Sequence, residues 1–295
     1  MESPDLPTVV SINGKIMFKE EAKISVFDRG FLYGDSVYEV IRTYEGIPFL
    51  LQEHLNRLWH SASKLEMGFP FDQNNIVKEV NTCLGELGKE NAYIRIIITR
   101  GQGPLQLDPV SAGSNNIVVI TREFKENPKE WYKNGVNIII SNVERTSIRA
   151  IDPNIKSGNY LNNIMAFIHA KKQHAFDAVM LNSQGYITEG TTHNIWVVKK
   201  GKAYTPPLHA GILEGITRKT VLVLAKKNGI EVEQKNMTAE DLINADECFM
   251  TSTTKEVIPV TQVNNAPIGT GEPGPITAKL HKLYQDFIQQ QIALS

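Results

Sequence analysis

Apolar and polar side chains alternate with a period of two along the early part of the chain, which predicts paired strands rather than helix. Val9-Val-Ser-Ile-Asn-Gly-Lys-Ile-Met-Phe18 sets Asn13-Gly14 between two β-prone segments, the arrangement that favours a tight hairpin. Ser36–Tyr44 predicts another strand, with a turn at Glu45-Gly46 and a returning arm over Ile47–Leu51. The period then lengthens. Leu55, Leu58, Trp59 and Leu65 recur at helical spacing within His54–Met67, as do Ile76, Val80, Leu84 and Leu87 within Asn74–Leu87. Tyr93–Thr99 and Asn116–Thr121 return to strand character.

Beyond Arg122 the chain turns charged and polar, with Pro128 opposing a continuous element, and residues 122–134 are expected to link a domain over 1–121 to a larger one over 135–295. The second domain is expected to hold strands at Gly135–Ser141, Asp177–Leu181 and His193–Val198. Helices are expected at Tyr160–His174, Ile216–Asn228, Ala239–Asn244 and Pro275–Ile292. Strands and helices mix without a regular βαβ alternation, which predicts an α+β protein.

Composition narrows the classes of function. The 295 residues are 41% hydrophobic and 21% charged, enough apolar surface for a sizeable core. With 31 Lys plus Arg against 32 Asp plus Glu, the formal charge is −1, and no run of like charges favours nucleic acid. Cys83 and Cys248 stand alone, which fits neither a disulfide framework nor a paired thiolate metal site. Met1-Glu-Ser-Pro-Asp5 lacks a basic, apolar leader, and apolar runs such as Val221–Ala225 are too short to span a bilayer. A soluble cytoplasmic protein is the expectation.

Familiar motifs are missing. No Gly-x-Gly-x-x-Gly opens a helix after a strand, no phosphate-binding Gly-x-x-x-x-Gly-Lys-Ser/Thr occurs, and His169 and His174 are spaced so that a helix turns them apart. What stands out instead is a set of polar turns at the ends of apolar segments. Asp152–Tyr160 places Lys156 just ahead of a helix; Thr188–Thr192 places Glu189 in a turn between strands. Gly211–Arg218 opens a helix with bare amides and the Thr217 hydroxyl, and Thr251–Thr254 adds further hydroxyls. Taken alone, each also reads as an ordinary solvated turn.

Together these blocks resemble the class IV, or fold type IV, aminotransferases that use pyridoxal phosphate, the group that includes branched-chain amino acid, D-amino acid and aminodeoxychorismate enzymes. The matching blocks run in order from Asp28-Arg-Gly-Phe-Leu-Tyr-Gly-Asp35 to Gly274-Pro-Ile-Thr277, nearly the whole chain. The resemblance implies a two-domain α+β fold with pyridoxal 5'-phosphate in the interdomain cleft. It implies that Lys156 holds the cofactor as a Schiff base and shuttles the proton at the substrate Cα. Glu189 is implied to pair the pyridine nitrogen, and Arg57, Ile216, Thr217 and Thr253 to bind phosphate. Leu213 would pack on the ring and Tyr160 would bond its ring oxygen, with Asn159 a lesser candidate.

For substrate, Tyr93 and Arg95 share a strand face and resemble the carboxylate-recognising Tyr-x-Arg of branched-chain enzymes, while Tyr33 and Tyr38 would wall an aliphatic pocket. Leu105 and Leu107 fall where D-amino acid enzymes carry a carboxylate trap. Against these, Ser252-Thr-Thr-Lys255 is closer to the D-amino acid pattern at the point where Thr254 would meet the substrate carboxylate, and His193 replaces a commonly acidic position. The expectation is a homodimeric L-branched-chain aminotransferase of amino-acid biosynthesis. It would pass amino groups to 2-oxoglutarate by a ping-pong mechanism, with amino acids and 2-oxo acids as partners and no metal. The alternatives are a D-amino acid aminotransferase, an aminodeoxychorismate lyase and, least favoured, a non-enzymatic cofactor-binding module.

Overall fold

A computed structural model describes residues 6–68 and 72–294, so the leader reading at Met1–Asp5 lies outside the described residues. The chain divides into two compact units. One runs to Lys125 and includes Ile155–Asn159 and the residues from Gln291 onward; the other comprises Glu126–Asn154 and Tyr160–Gln290.

The first unit contains β1 (Thr8–Ile12), β2 (Lys15–Phe18), α1 (Arg29–Tyr33), β3 (Ser36–Tyr44), β4 (Ile47–Pro48), α2 (Leu51–Lys64), α3 (Gln73–Leu87), β5 (Ala92–Thr99) and β6 (Asn116–Glu123). Its six strands form one antiparallel sheet in the order β2-β1-β6-β5-β3-β4. The hairpin turns form where expected: Asn13 and Gly14 adopt φ of 54° and 81°, and Glu45 and Gly46 adopt 52° and 82°. Alternation then separates the two faces. Val37, Ile41, Ile94, Ile96 and Ile98 meet Leu55, Leu58 and Ala62 of α2 and Ile76, Val80 and Leu87 of α3 in one buried core. Tyr38, Tyr93 and Arg95 occupy alternate positions on β3 and β5, off that core. Truncating a fully buried anchor such as Leu58 to alanine costs about 2–5 kcal/mol by transfer and cavity formation.

The second unit contains α4 (Lys129–Asn134), β7 (Val136–Ile140), α5 (Leu161–Lys172), β8 (Asp177–Leu181), β9 (Ile187–Gly190), β10 (Asn194–Lys199), β11 (Lys202–Thr205), α6 (Ile216–Lys227), β12 (Val232–Gln234), α7 (Ala239–Ile243), β13 (Glu247–Ser252), β14 (Glu256–Val263), β15 (Ala266–Pro267) and α8 (Pro275–Ile292). The sheet follows β12-β11-β10-β13-β14-β7-β8-β9 and returns on itself, because β9 also pairs with β10 through Glu189 and Asn194. Parallel neighbours, β7 with β8 and with β14 and β11 with β12, are mixed among antiparallel ones. The charged stretch 122–134 carries the end of β6 and all of α4.

The structure corrects the reading of Glu189 as a turn residue. It lies within β9, 6% exposed, and the turn proper is Thr191–His193. Strand β14 is unexpected from sequence because it contains Pro259, yet the proline precedes Val260, where pairing to β7 begins, so its missing N–H removes no bond to that neighbour. Both thiols are buried in separate units, and burial with Glu79 and Glu86 nearby pushes Cys83 up to about 12. Neither cysteine is therefore expected to react with a thiol-specific disulfide reagent at pH 8 in the folded protein, with both reacting in denaturant. Labelling of either in native buffer would contradict the packing.

Candidate active site

Lys156 owes its position to backbone pairing. Residues Ile155–Asn159 join the open edge of β3: the Tyr38 amide donates to the Lys156 carbonyl at 2.9 Å, and the Gly158 amide to the Ser36 carbonyl at 2.8 Å. The Lys156 amide in turn donates to Ser61 Oγ of α2 at 3.1 Å. The side chain, half-buried, sets its Nζ 4.6 Å from the centre of the Tyr38 ring, and the Arg95 guanidinium lies 4.1 Å from the same ring. Tyr38, only 5% exposed, thus has an amine and a guanidinium over one aromatic ring.

Beneath that strand lies a charge network that sequence reading missed in part. Glu39, fully buried, accepts from Arg57 Nε at 2.6 Å and Nη2 at 2.8 Å, and pairs with His54 Nδ1 at 2.7 Å. Burial alone would raise the Glu39 pKa. The charges and hydrogen bonds of Arg57 and His54 more than offset it, holding the carboxyl well below the usual range. Burial dominates at His54 and depresses its pKa, so the imidazole stays neutral near pH 7 and its Nδ1–H donates to Glu39. The local signal was available: Glu39 alternates onto the helix-facing side of β3, where an apolar residue is expected, and a buried acid there requires a cation.

In the second unit Glu189 is held from three sides. Arg145 Nη2 donates to Oε1 at 2.7 Å, and the Leu213 amide and Asn194 Nδ2 donate to Oε2 at 3.0 and 3.3 Å. Asn194 Nδ2 also donates to the Leu213 carbonyl at 3.0 Å, tying the Leu213 backbone to β10. Arg145, Asn163 and Asn194 were not anticipated from sequence; Arg145 sits in an irregular segment with no periodic signal.

The remaining predicted residues are dispersed within their units. Tyr33 ends α1 beneath the Arg29 guanidinium, 5.0 Å away, and Tyr93 lies under Arg122 at 5.3 Å. Asn159 Nδ2 donates to the Gly34 carbonyl at 3.1 Å. Leu105 and Leu107 are exposed, on a loop whose carbonyls at Gln106 and Leu107 accept from buried Arg29 at 2.8 and 3.0 Å. Tyr160 caps α5 and lines a cavity of about 500 Å³ with Asn163, Phe167, Phe176 and Thr191. Ile216 and Thr217 open α6, and the Thr217 hydroxyl lies 3.5 Å from that of Tyr284. Thr253 and Thr254 follow β13, and the Thr254 carbonyl accepts from Asn127 at 2.8 Å.

One negative reading needs correcting. Gly269-Thr-Gly271-Glu-Pro-Gly274 does have the Gly-x-Gly-x-x-Gly spacing, and it leads from β15 into α8. Its helix start is already filled, because Glu247 accepts from the Ile276 and Thr277 amides at 3.1 and 2.8 Å and its side chain occupies the space that a Cβ at position 274 would need. The protein's own carboxylate takes the place of a phosphate. Among the described residues, no group of three or more His, Cys, Asp or Glu could hold a metal, and no helix is long and apolar enough to cross a membrane.

Residues 36–263 match the amino-transferase class IV family, a span that includes Tyr38, Glu39, Arg57, Lys156 and Glu189. The chain belongs to the class IV aminotransferase family. This aminotransferase is 39% identical over 278 residues to a putative branched-chain-amino-acid aminotransferase of Methanocaldococcus jannaschii, covering 94% of this chain and 96% of that one. It is 36% identical to a D-alanine aminotransferase of Bacillus licheniformis, covering 96% and 98%. Its fold matches a branched-chain aminotransferase from the thermophilic archaeon Thermoproteus uzoniensis with norvaline at a TM-score of 0.87 and 31% identity, over 95% of this chain and 94% of that one.

The charge network makes a prediction of its own. Glu39→Gln strands Arg57 and His54 in the core and is expected to cost the aminotransferase about 3 kcal/mol at pH 7. Because the native pKa of Glu39 is depressed, its contribution is present above its ordinary value of 4.5 and is lost as pH falls from there toward the native value. Urea unfolding of wild type and variant should show a gap that narrows steadily below about pH 4.5. A constant gap would contradict the ionised assignment.

Proposed function

We propose that this class IV aminotransferase binds pyridoxal 5'-phosphate and moves the amino group of L-branched-chain amino acids to 2-oxoglutarate by a ping-pong mechanism. The observation that carries the reading is the pair of cations over Tyr38. Arg95 offers a carboxylate anchor beside the same ring that the Lys156 amine faces, so an acid-binding cation and an amine share one aromatic neighbour.

The residues present fit the cofactor. Helix α6 begins at Gly215 with no side-chain cap, and a Cβ on Gly215 would collide with Asn194 Oδ1, so the helix start is kept bare backbone, suited to phosphate. Thr217 and Thr253 add hydroxyls, and Arg57, fixed by Glu39 through two bonds, offers its guanidinium in one orientation. Glu189 is buried and matched by Arg145, the chemistry wanted opposite a protonated pyridine nitrogen. Leu213 supplies an apolar side chain toward the ring, and Tyr160 a phenol toward its oxygen.

When bound, pyridoxal phosphate supplies an aldehyde that captures amines and a ring that withdraws electrons from the substrate Cα. Lys156 would provide the amine that holds that aldehyde and would move a proton at the substrate Cα. Glu189 keeps the pyridine nitrogen protonated. Arg95 and Tyr93 would hold the substrate carboxylate, and Tyr33, Tyr38, Leu105 and Leu107 would provide apolar surface for its side chain.

A D-amino acid aminotransferase is the second reading, favoured by the D-alanine aminotransferase relative and by Thr254-Lys255. A homodimer belongs to the proposal, supported by α5, which leaves Leu161, Ile164, Met165, Phe167 and Ile168 exposed. Sedimentation as a monomer at micromolar concentration would remove that part.

Lys156→Ala is expected to abolish the visible absorbance of bound cofactor and lower turnover by about 1,000-fold or more; full turnover would end the enzymatic reading. Glu189→Gln should retain cofactor but lower kcat on the order of 100-fold. A donor panel decides stereochemistry: L-leucine, L-isoleucine and L-valine should be used and D-alanine not, and the opposite result would establish the second reading.

A further inference from the structure

His193 has no part in the function proposed so far, yet it is 4% exposed, its Nδ1 faces Asp177 Oδ2 at 3.2 Å without hydrogen-bond alignment, and its Nε2 is likewise unbonded among the described atoms. A buried imidazole nitrogen without a partner is costly, and an apolar side chain would fill the space at less expense. What the imidazole touches explains its presence. The turn Thr191–His193 joins Glu189 to Asn194, the residue pair that closes the sheet between β9 and β10, and every residue of the turn is held. Thr191 Oγ1 donates to Asp177 Oδ1 at 2.6 Å, and the Thr191 carbonyl accepts from Asn163 Nδ2 at 2.8 Å. Lys255 Nζ lies 3.3 Å from Thr192 Oγ1, and the Gly190 amide donates to the His193 carbonyl at 2.8 Å.

The ring of His193 lies flat against Gly190. A Cβ on that glycine would run into Cε1, Nε2 and Nδ1 of the imidazole, so the two positions are matched: the ring at 193 requires the absence of a side chain at 190. Asp177 therefore meets the turn at two points, a hydrogen bond from Thr191 and the close approach of the His193 ring. Burial would raise its carboxyl, but His193, Thr191 and Lys255 together hold it at about 2, so it stays an acceptor across the working range.

We propose that His193 is a positioning residue for Glu189: wedged between Asp177 and Gly190, it fixes the turn from which Glu189 and its partner Asn194 depart. The proposal rests on the assignment of Glu189 to the pyridine nitrogen. Movement of this turn displaces both the carboxylate and one of the three groups bonded to it, so His193 acts on the ring nitrogen through Glu189 and not on the substrate.

Apoenzyme titrated with pyridoxal phosphate, read by visible absorbance, tests this in wild type, E189Q, H193A, H193N and G190A. H193A should bind about tenfold or more weakly, as expected when a buried acid loses a partner, and its bound spectrum should shift in the direction that E189Q shifts it. Its kcat should fall with KM for the amino donor nearly unchanged. H193N, whose amide can approach Asp177 as the imidazole does, should recover most of both. G190A keeps the imidazole but drives it off its seat, and should reproduce the H193A spectrum even if H193A itself fails to fold. Wild-type affinity and spectrum in H193A, or in G190A if H193A does not fold, would overturn the proposal when E189Q is altered. An unaltered E189Q would instead remove the assignment of Glu189.

Discussion

Taking a carboxylate out of water costs more than any single hydrogen bond returns, and the candidate site is arranged around that constraint. Glu39 and Glu189 are both buried, and each faces an arginine at 2.6–2.8 Å with further donors to its carboxyl group. Such pairs add little net stability over apolar packing, but removing either partner leaves an uncompensated charge. What they provide is orientation. Each unit completes its own charge pairing, so the arginine beside Glu39 and the acid beside Arg145 are already fixed before any ligand binds, which is the condition under which electrostatic contacts contribute most to a reaction.

Backbone pairing does comparable work for Lys156. A lysine on a free loop would sample many orientations, and ordering its side chain on binding would cost on the order of 1–2 kcal/mol. Here the loop is fixed by strand-like bonds to Ser36 and Tyr38 and by the Ser61 hydroxyl, and the ammonium rests on an aromatic face. The edge of β3 that would otherwise be an unpaired row of donors and acceptors becomes the support for the reactive amine.

Much of this was legible in the sequence, for identifiable reasons. Strand β3 and helix α8 were predicted with the bounds they have, because alternation over 36–44 and the helical pattern from Pro275 are local signals. Lys156, Glu189 and Arg57 stood out through their blocks, and the structure gives each a defined set of neighbours. Pairings between residues distant in sequence were not visible: alternation marks Glu39 as a buried acid in need of a cation but not that Arg57, eighteen positions on, supplies it, and nothing local joins Arg145 to Glu189 forty-four positions on. Glu189 was misread as a turn residue for the same reason. Its flanking Gly190 and threonines look like a turn, and the pairing partner that makes it a strand, Asn194, acts across the hairpin.

The departures from branched-chain pattern bear differently on chemistry and on specificity. Ser252-Thr-Thr-Lys255 follows on from the end of β13, and Lys255 reaches back to Thr192 on the turn that follows Glu189, so a change in that segment is coupled to the strand carrying the acid. Tyr38, Arg95 and the loop tethered by Arg29 all lie in the other unit. Relatives named for branched-chain and for D-alanine substrates at similar identity are what such an arrangement would produce. On the proposed reading the amine, the acid and the phosphate donors serve every donor alike, whereas selection among donors falls to a few residues that can vary without disturbing either buried carboxylate.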